Sequence, residues 1–286
     1  MNQKHSGRLP DLSNKTITFI GAGNMASSLI GGLIADSYPA QRIVASDPSS
    51  TKLADLSARY GIQSAASNEE AVAQADVVVL AVKPQLLHQV VEPLTALVQK
   101  HQPLVVSIAA GVREEAIQRW LGGNISLVRT MPNTPAMIQA GATVLHAGDN
   151  VTAEQRDLAE SIMRAVGLTI WVDEEASLDP VTALSGSGPA YFFLVMEAME
   201  QAAVNMGITP ESARLLTLQT ALGASRMAIE SSDGPSTLRQ KVTSPGGTTE
   251  RALSILEAGD IRTLFDKALS GAKERSIELS ELLGNE

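Results

Sequence analysis

Apolar positions along the chain change their spacing several times, and each change marks an element. Residues 16–20 (Thr-Ile-Thr-Phe-Ile) are β-rich and run straight into Gly21. Beyond them, apolar side chains recur at helical spacing at Met25, Leu29 and Leu33, with small residues between, up to about Asp36. Residues 42–46 predict a short strand and 51–60 a helix. The run 76–82 is almost continuously apolar, the pattern of a parallel strand buried on both faces. Residues 104–108 repeat that pattern and lead to a helix over 113–121. Further strands are predicted at 126–131, 142–146 and 168–172, with a helix of acidic start at 152–166. Strand and helix in turn predict an α/β fold built on a doubly wound parallel sheet.

After Asp173-Glu174-Glu175 the pattern becomes helical, with helices predicted over 188–206, 210–231, 248–258 and 261–283. Gly207, Asp233-Gly234-Pro235 and Gly259 punctuate them. The expected organisation is a loose tail over 1–14, a dinucleotide-binding domain over 15–175 and an all-helical domain over 176–286. The stretch Tyr191-Phe192-Phe193-Leu194-Val195-Met196 is apolar around most of a helix surface. Such a helix favours burial on several sides, which predicts a homodimer formed through the helical domain, the alternative being a monomer with an unusually wide core.

Charge and composition narrow the chemistry. Of 286 residues, 22 are Lys or Arg and 31 are Asp or Glu, a formal charge of −9. General electrostatic binding to nucleic acid or to an anionic membrane is therefore not expected. The absence of cysteine excludes disulfides, Cys-ligated zinc and a thiolate nucleophile. No apolar run is long enough to span a bilayer, and the start of the chain has no apolar signal core, so a cytoplasmic protein is expected. His5, His88, His101 and His146 form no metal or triad pattern, nor do the acidic residues form a metal cluster.

The strongest local signal is Ile20-Gly21-Ala22-Gly23-Asn24-Met25-Ala26, a G-x-G-x-x-A loop between a strand and a helix. Gly21 permits the tight turn, Gly23 lets a pyrophosphate approach the backbone, and Ala26 keeps the helix close to the sheet. The second strand ends at Ser46-Asp47-Pro48-Ser49, where the adenine-side ribose of a dinucleotide rests. An acid there favours the free 2′-hydroxyl of NADH over the 2′-phosphate of NADPH. Ser46 and Ser49 are also hydroxyl donors suited to that phosphate, so both cofactors stay open, as does a simple capping role for Asp47.

Ala81-Val82-Lys83-Pro84 and Ser107-Ile108-Ala109-Ala110-Gly111 end buried strands, on the side where ligands bind open α/β sheets, though Lys83 equally fits a solvated loop lysine. Met131-Pro132-Asn133-Thr134-Pro135 fits a site wall or a rigid structural turn. Ser244-Pro245-Gly246-Gly247-Thr248-Thr249 stands before a helix and offers more donors than capping requires, which suits a small carboxylate.

Together with Leu184-Ser185-Gly186-Ser187-Gly188-Pro189-Ala190-Tyr191, these motifs resemble pyrroline-5-carboxylate reductase, in order from about residue 16 to 280. The resemblance implies reduction of 1-pyrroline-5-carboxylate, a cyclic imine carboxylate, to L-proline by NADPH or NADH, the last step of proline biosynthesis. It also implies a Rossmann domain, a helical C-terminal dimerisation domain and an interlocked dimer able to assemble further. By the same resemblance, Ile20 to Met25, Ser46, Asp47 and Asn68 hold the dinucleotide, and Ala81, Val82, Lys83, Pro84 and Ala110 line its nicotinamide. Ser244, Gly247, Thr248 and Thr249 hold the substrate, with Thr249 at the ring nitrogen as the catalytic candidate. Relatives often carry a small hydroxyl or a basic side chain where this chain has Asp47. Ser232 and Asp233 stand where some relatives have Glu. A β-hydroxyacid dehydrogenase shares the fold and loop, but it places a Lys on the first helix of the second domain, and residues 184–205 contain none. A non-catalytic dinucleotide-binding regulator would not need the donor-rich 244–249 loop.

Overall fold

The computed structural model describes residues 14–284. The tail expected over 1–14, with His5, lies almost wholly outside the described residues. The chain forms two compact units, the first running to Ser187 and resuming at Ala272, the second being Gly188–Gly271.

The first unit contains, in order, β1 (Ile17–Ile20), α1 (Asn24–Ala35), β2 (Ile43–Ser46), α2 (Ser50–Tyr60), β3 (Gln63–Ser64), α3 (Asn68–Ala73) and β4 (Val77–Leu80). Next come α4 (Leu87–Val91), α5 (Thr95–His101), β5 (Leu104–Ser107), α6 (Glu114–Trp120) and β6 (Leu127–Met131). Then follow β7 (Gly141–Ala147), α7 (Ala153–Arg164), β8 (Gly167–Val172) and α8 (Leu178–Val181). The eight strands form one sheet in the order β3-β2-β1-β4-β5-β6-β7-β8.

The apolar runs fill both faces of this sheet, as a parallel sheet covered by helices requires. On one face Phe19 and Val79 pack with Leu29 of α1 and Ile162 of α7. On the other, Ile20 and Leu80 pack with Leu87 of α4 and Ile117 of α6. Each such buried side chain contributes about 1.5–3 kcal/mol of transfer free energy. β1 pairs in parallel with both β2 and β4, so the carboxyl ends of the central strands share one edge.

One strand departs from the expected parallel sheet: β7 runs antiparallel to β6. The link between them, residues 132–140 with a 3-10 turn over Thr134–Ile138, is too short for a parallel crossover, which takes about a dozen residues or more. β8 returns to the parallel sense beside β7, the connection carrying α7. Asn133 fixes the link, donating from Nδ2 to the Ser185 carbonyl at 3.0 Å and accepting the Ala142 N–H at 2.9 Å. The 131–135 segment is thus a structural tie in this unit.

The second unit comprises α9 (Gly188–Asn205), α10 (Pro210–Glu230), α11 (Pro235–Lys241), α12 (Thr248–Ala258) and the start of α13 (Ile261–Gly284). Thr209 caps α10 by accepting the Ser212 N–H, with Pro210 at the first helical position. Glu257 accepts from Arg239 and Arg262, each at 2.8 Å, tying α11, α12 and α13. The hydrogen bond from Arg262 holds the Glu257 carboxyl below its usual range. Phe192, Phe193 and Leu194 of α9 are each more than 60% exposed, as are Leu215 and Leu222 of α10. No helix among the described residues is long and apolar enough to cross a membrane.

Candidate functional site

β1 delivers the chain into Gly21 at φ +103°, a conformation that favours glycine. A Cβ at Gly21 would lie 2.5 Å from the Ala81 carbonyl oxygen and 3.1 Å from Val82 Cγ1. The glycine therefore lets the ends of β1 and β4 close together. At Gly23, by contrast, a Cβ would meet nothing within 4 Å. Gly23 is the N-cap of α1 and has no side chain to satisfy the first helical N–H groups. Open space beside a bare helix start fits a pyrophosphate, which supplies the missing acceptors. The loop thus brings Gly21, Ala81 and Val82 into one place and leaves Gly23 open.

The corner after β2 is more tightly bonded than its sequence suggests. Asp47 Oδ2 accepts the Ala22 N–H at 2.8 Å, and Oδ1 accepts the Ser49 N–H at 2.9 Å. Lys52 Nζ stands 3.6 Å from Asp47 Oδ2. Both carboxylate oxygens are thereby engaged, one on the glycine loop and one on the start of α2. Ser46 Oγ donates to Asn68 Oδ1 at 2.7 Å, joining the end of β2 to α3.

Along the same strand edge, Ala109 N–H donates to Ser107 Oγ, and Thr130 Oγ1 donates to the Ser107 carbonyl. These bonds hold the turn that carries Ala110 and Gly111, the latter at φ +74°. Lys83 is exposed, while Pro84 and Ala110 line a cavity of about 390 Å³ together with Thr182, Arg275 and Ser276. All of these belong to the first unit.

In the second unit, Ser244 to Gly247 form a turn closed by the Gly247 N–H on the Ser244 carbonyl at 3.0 Å, with Gly246 at φ +70°. Pro followed by Gly at its centre is the type II signature. Gly247 is the N-cap of α12 and brings no capping side chain, so Thr248 and Thr249 open the helix with amides aimed outward. Glu250 Oε2 takes the Gly246 N–H at 2.7 Å. Ser244 and Thr248 are exposed, and Thr249 is half-buried.

His88 and His146 take side-chain partners within the first unit. His88 stacks on Trp120 with ring centroids 4.7 Å apart, and His146 Nε2 lies 3.4 Å from Glu114 Oε2. A polar cluster that sequence reasoning did not single out meets the 390 Å³ cavity at Ser276. Arg113 and Ser276 both bond Asp179, and Arg129 pairs with Glu175. Burial pulls the Arg129 guanidinium below its usual range, against the raising effect of Glu175. Its one signal in sequence is Asp179 inside the otherwise apolar Leu178-Asp179-Pro180-Val181.

Residues 175–279 match the family described as pyrroline-5-carboxylate reductase dimerisation, and residues 16–111 match NADP oxidoreductase coenzyme F420-dependent. A pyrroline-5-carboxylate reductase of Pseudomonas aeruginosa is 50% identical over 273 residues, covering 96% of this chain and all of the relative. The solved structure of a pyrroline-5-carboxylate reductase from Coxiella burnetii superimposes with a TM-score of 0.89 at 50% identity, over 93% of this chain and 98% of that one. That of Plasmodium falciparum pyrroline carboxylate reductase with NADP bound gives 0.83 at 27% identity, over 94% and 99%.

Proposed function

This chain belongs to the pyrroline-5-carboxylate reductase family, and on that premise we propose how its residues share the work of the reaction. The protein is an NAD(P)H-dependent oxidoreductase that reduces 1-pyrroline-5-carboxylate to L-proline. The observation that carries this is the 50% identity sustained over 273 residues.

The glycine loop from Ile20 to Met25 holds the dinucleotide pyrophosphate at Gly23 and the bare start of α1, while Ser46, Asp47 and Asn68 shape the adenine-side corner. NAD(P)H, when bound, supplies the hydride. Ala81, Val82, Lys83, Pro84 and Ala110 wall the nicotinamide end, where small side chains leave room for a ring. Ser244, Gly247, Thr248 and Thr249 take the substrate carboxylate and ring nitrogen, the amides opening α12 providing the positive end of a helix dipole. Thr249 contacts the nitrogen. A protonated cyclic imine is already electrophilic, so orientation is the main demand on these groups.

Asp47 acts through the loop it braces. With both oxygens committed and Lys52 beside it, the corner accepts either NADH or NADPH, and the preference for NADH suggested by an acid at this position loses its basis. The small-molecule substrate is served by a homo-oligomer. Its unit is a homodimer through the helical segment, which covers the exposed Phe192, Phe193 and Leu194. The cleft combines the glycine loop of one protomer with the 244–249 loop of its partner. By role, residues 15–175 form the dinucleotide-binding part and 176–286 the substrate and dimerisation part.

The test is oxidation of NADH and NADPH, followed optically, in the presence of pyrroline-5-carboxylate. Imine-dependent oxidation is expected. Turnover of a hydroxy acid with none of the imine would replace this reading by a β-hydroxyacid dehydrogenase.

A further inference from the structure

The 390 Å³ cavity at the ends of β4 and β5 is walled by three separate segments: the Ala110-Gly111 turn, the Thr182 turn after α8, and α13 at Arg275 and Ser276. Each wall lies within three residues of one buried carboxylate or one of its partners. Asp179 is 4% exposed. Its Oδ2 accepts from the Arg113 guanidinium at 2.5 Å, and its Oδ1 accepts from Ser276 Oγ at 2.7 Å. Arg113 is the N-cap of α6, two residues beyond Gly111. Thr182 follows Asp179 by less than a helical turn and bonds the Leu178 carbonyl at 2.7 Å. On the far side of the cavity, a Cβ at Gly111 would stand 3.5 Å from Leu279 Cβ, so the turn already rests against α13. One carboxylate therefore fixes all three walls at once.

We propose that Asp179 is a positioning residue for the nicotinamide half of the cofactor, setting the width of its cavity through Arg113 and Ser276. The proposal rests on the assignment of Pro84 and Ala110 to the nicotinamide end. It does not involve the glycine loop, whose hydrogen bonds to other strands run to Ser46, Asp47 and Ala81. Neutralising the buried carboxylate removes the charge that holds the part-buried Arg113 guanidinium and one partner of Ser276, so the walls tied to it shift. A misplaced ring costs reactivity steeply, because hydride transfer depends on alignment.

The experiment compares two ligands on the full-length protein. ADP-ribose probes the adenine half and the pyrophosphate, and NADPH adds the nicotinamide. Asp179→Asn is expected to weaken NADPH by about tenfold and to lower kcat by at least as much, while ADP-ribose affinity stays within roughly twofold. The fluorescence of bound NADPH, which reports the surroundings of the nicotinamide, is expected to change as well. Equal weakening of both ligands would make Asp179 a general structural residue and overturn the proposal, as would no change in either. Ser276→Ala removes one hydroxyl and carries the same test in a milder form should Asp179→Asn fail to fold. Ala110→Phe separates the premise from the inference. If it leaves NADPH binding intact, the nicotinamide assignment fails. If it blocks NADPH while Asp179→Asn and Ser276→Ala do not alter it, only the role of Asp179 fails.

Discussion

Asp47 Oδ2 receives the Ala22 N–H at 2.8 Å, so the acid at the end of β2 braces the glycine loop from below. An acid in this position ordinarily reads a ribose hydroxyl. Here it first holds the glycine loop in shape. Asp47→Ser is therefore expected to weaken NADH and NADPH together by about 1–2 kcal/mol, the worth of hydrogen bonds to a charged acceptor. A smaller gain in the NADPH to NADH ratio should accompany it, from loss of the negative charge. Dissociation constants for both cofactors check this. A large change of ratio with no common loss would mean that Asp47 reads the ribose directly.

At Gly21 both the left-handed backbone and the Ala81 carbonyl exclude a side chain. Gly21→Ala should destabilise the protein by about 3 kcal/mol in urea unfolding, from backbone strain added to overpacking. Gly23→Ala meets open space and should unfold near the wild-type midpoint while binding the dinucleotide poorly.

Thr249→Ala removes one hydroxyl at the start of α12 and leaves the amides in place. Turnover of the imine should fall by about tenfold to a hundredfold, or 1.4–2.7 kcal/mol. The dissociation constant for NADPH should hold. Steady-state rates beside direct binding distinguish the two, and an unchanged rate would remove Thr249 from the site.

Tyr38 is buried and donates to the Lys15 carbonyl at 2.6 Å. Burial, aided by the Asp76 charge, raises its hydroxyl from 10.0 to about 12. Because the folded value lies above the unfolded one, this stabilisation is whole below pH 10 and is lost as the pH rises through 12. Unfolding free energy should fall over that window by up to about 2 kcal/mol more than in Tyr38→Phe. That variant should itself lose about 1 kcal/mol at pH 8 for the missing hydrogen bond. Urea curves at several pH values check both effects.

The central strands were legible because burial on both faces leaves an unbroken apolar run, as at Val77–Leu80. The glycine loop was legible because backbone geometry restricts the residue type. β3 was missed, since Gln63 and Ser64 are two exposed polar residues that pair only at the sheet edge. α3, α4 and α5 are seven residues or shorter and show no 3.6-residue period, whereas the equally short α6 carries one on Ala116, Ile117, Trp120 and the adjoining Leu121. The sense of β7 depended on the length of one link, which the alternation of elements did not weigh. Asp47 was noticed for its charge, but its partner Ala22 stands 25 residues away in the chain. The bonds of Asp179 span 66 and 97 residues, and no local spacing announces them.

The sharing of one cleft between two protomers is tested most directly by complementation. Gly23→Phe fills the cradle proposed for the pyrophosphate, and Thr249→Trp fills the one proposed for the substrate. Each homodimer should be inactive. If each cleft takes its glycine loop from one chain and its 244–249 loop from the other, co-expressed subunits form mixed dimers with one intact cleft. Imine-dependent NADPH oxidation should then return to about a quarter of the wild-type rate for random pairing. No recovery, with mixed dimers present, would contradict the shared cleft.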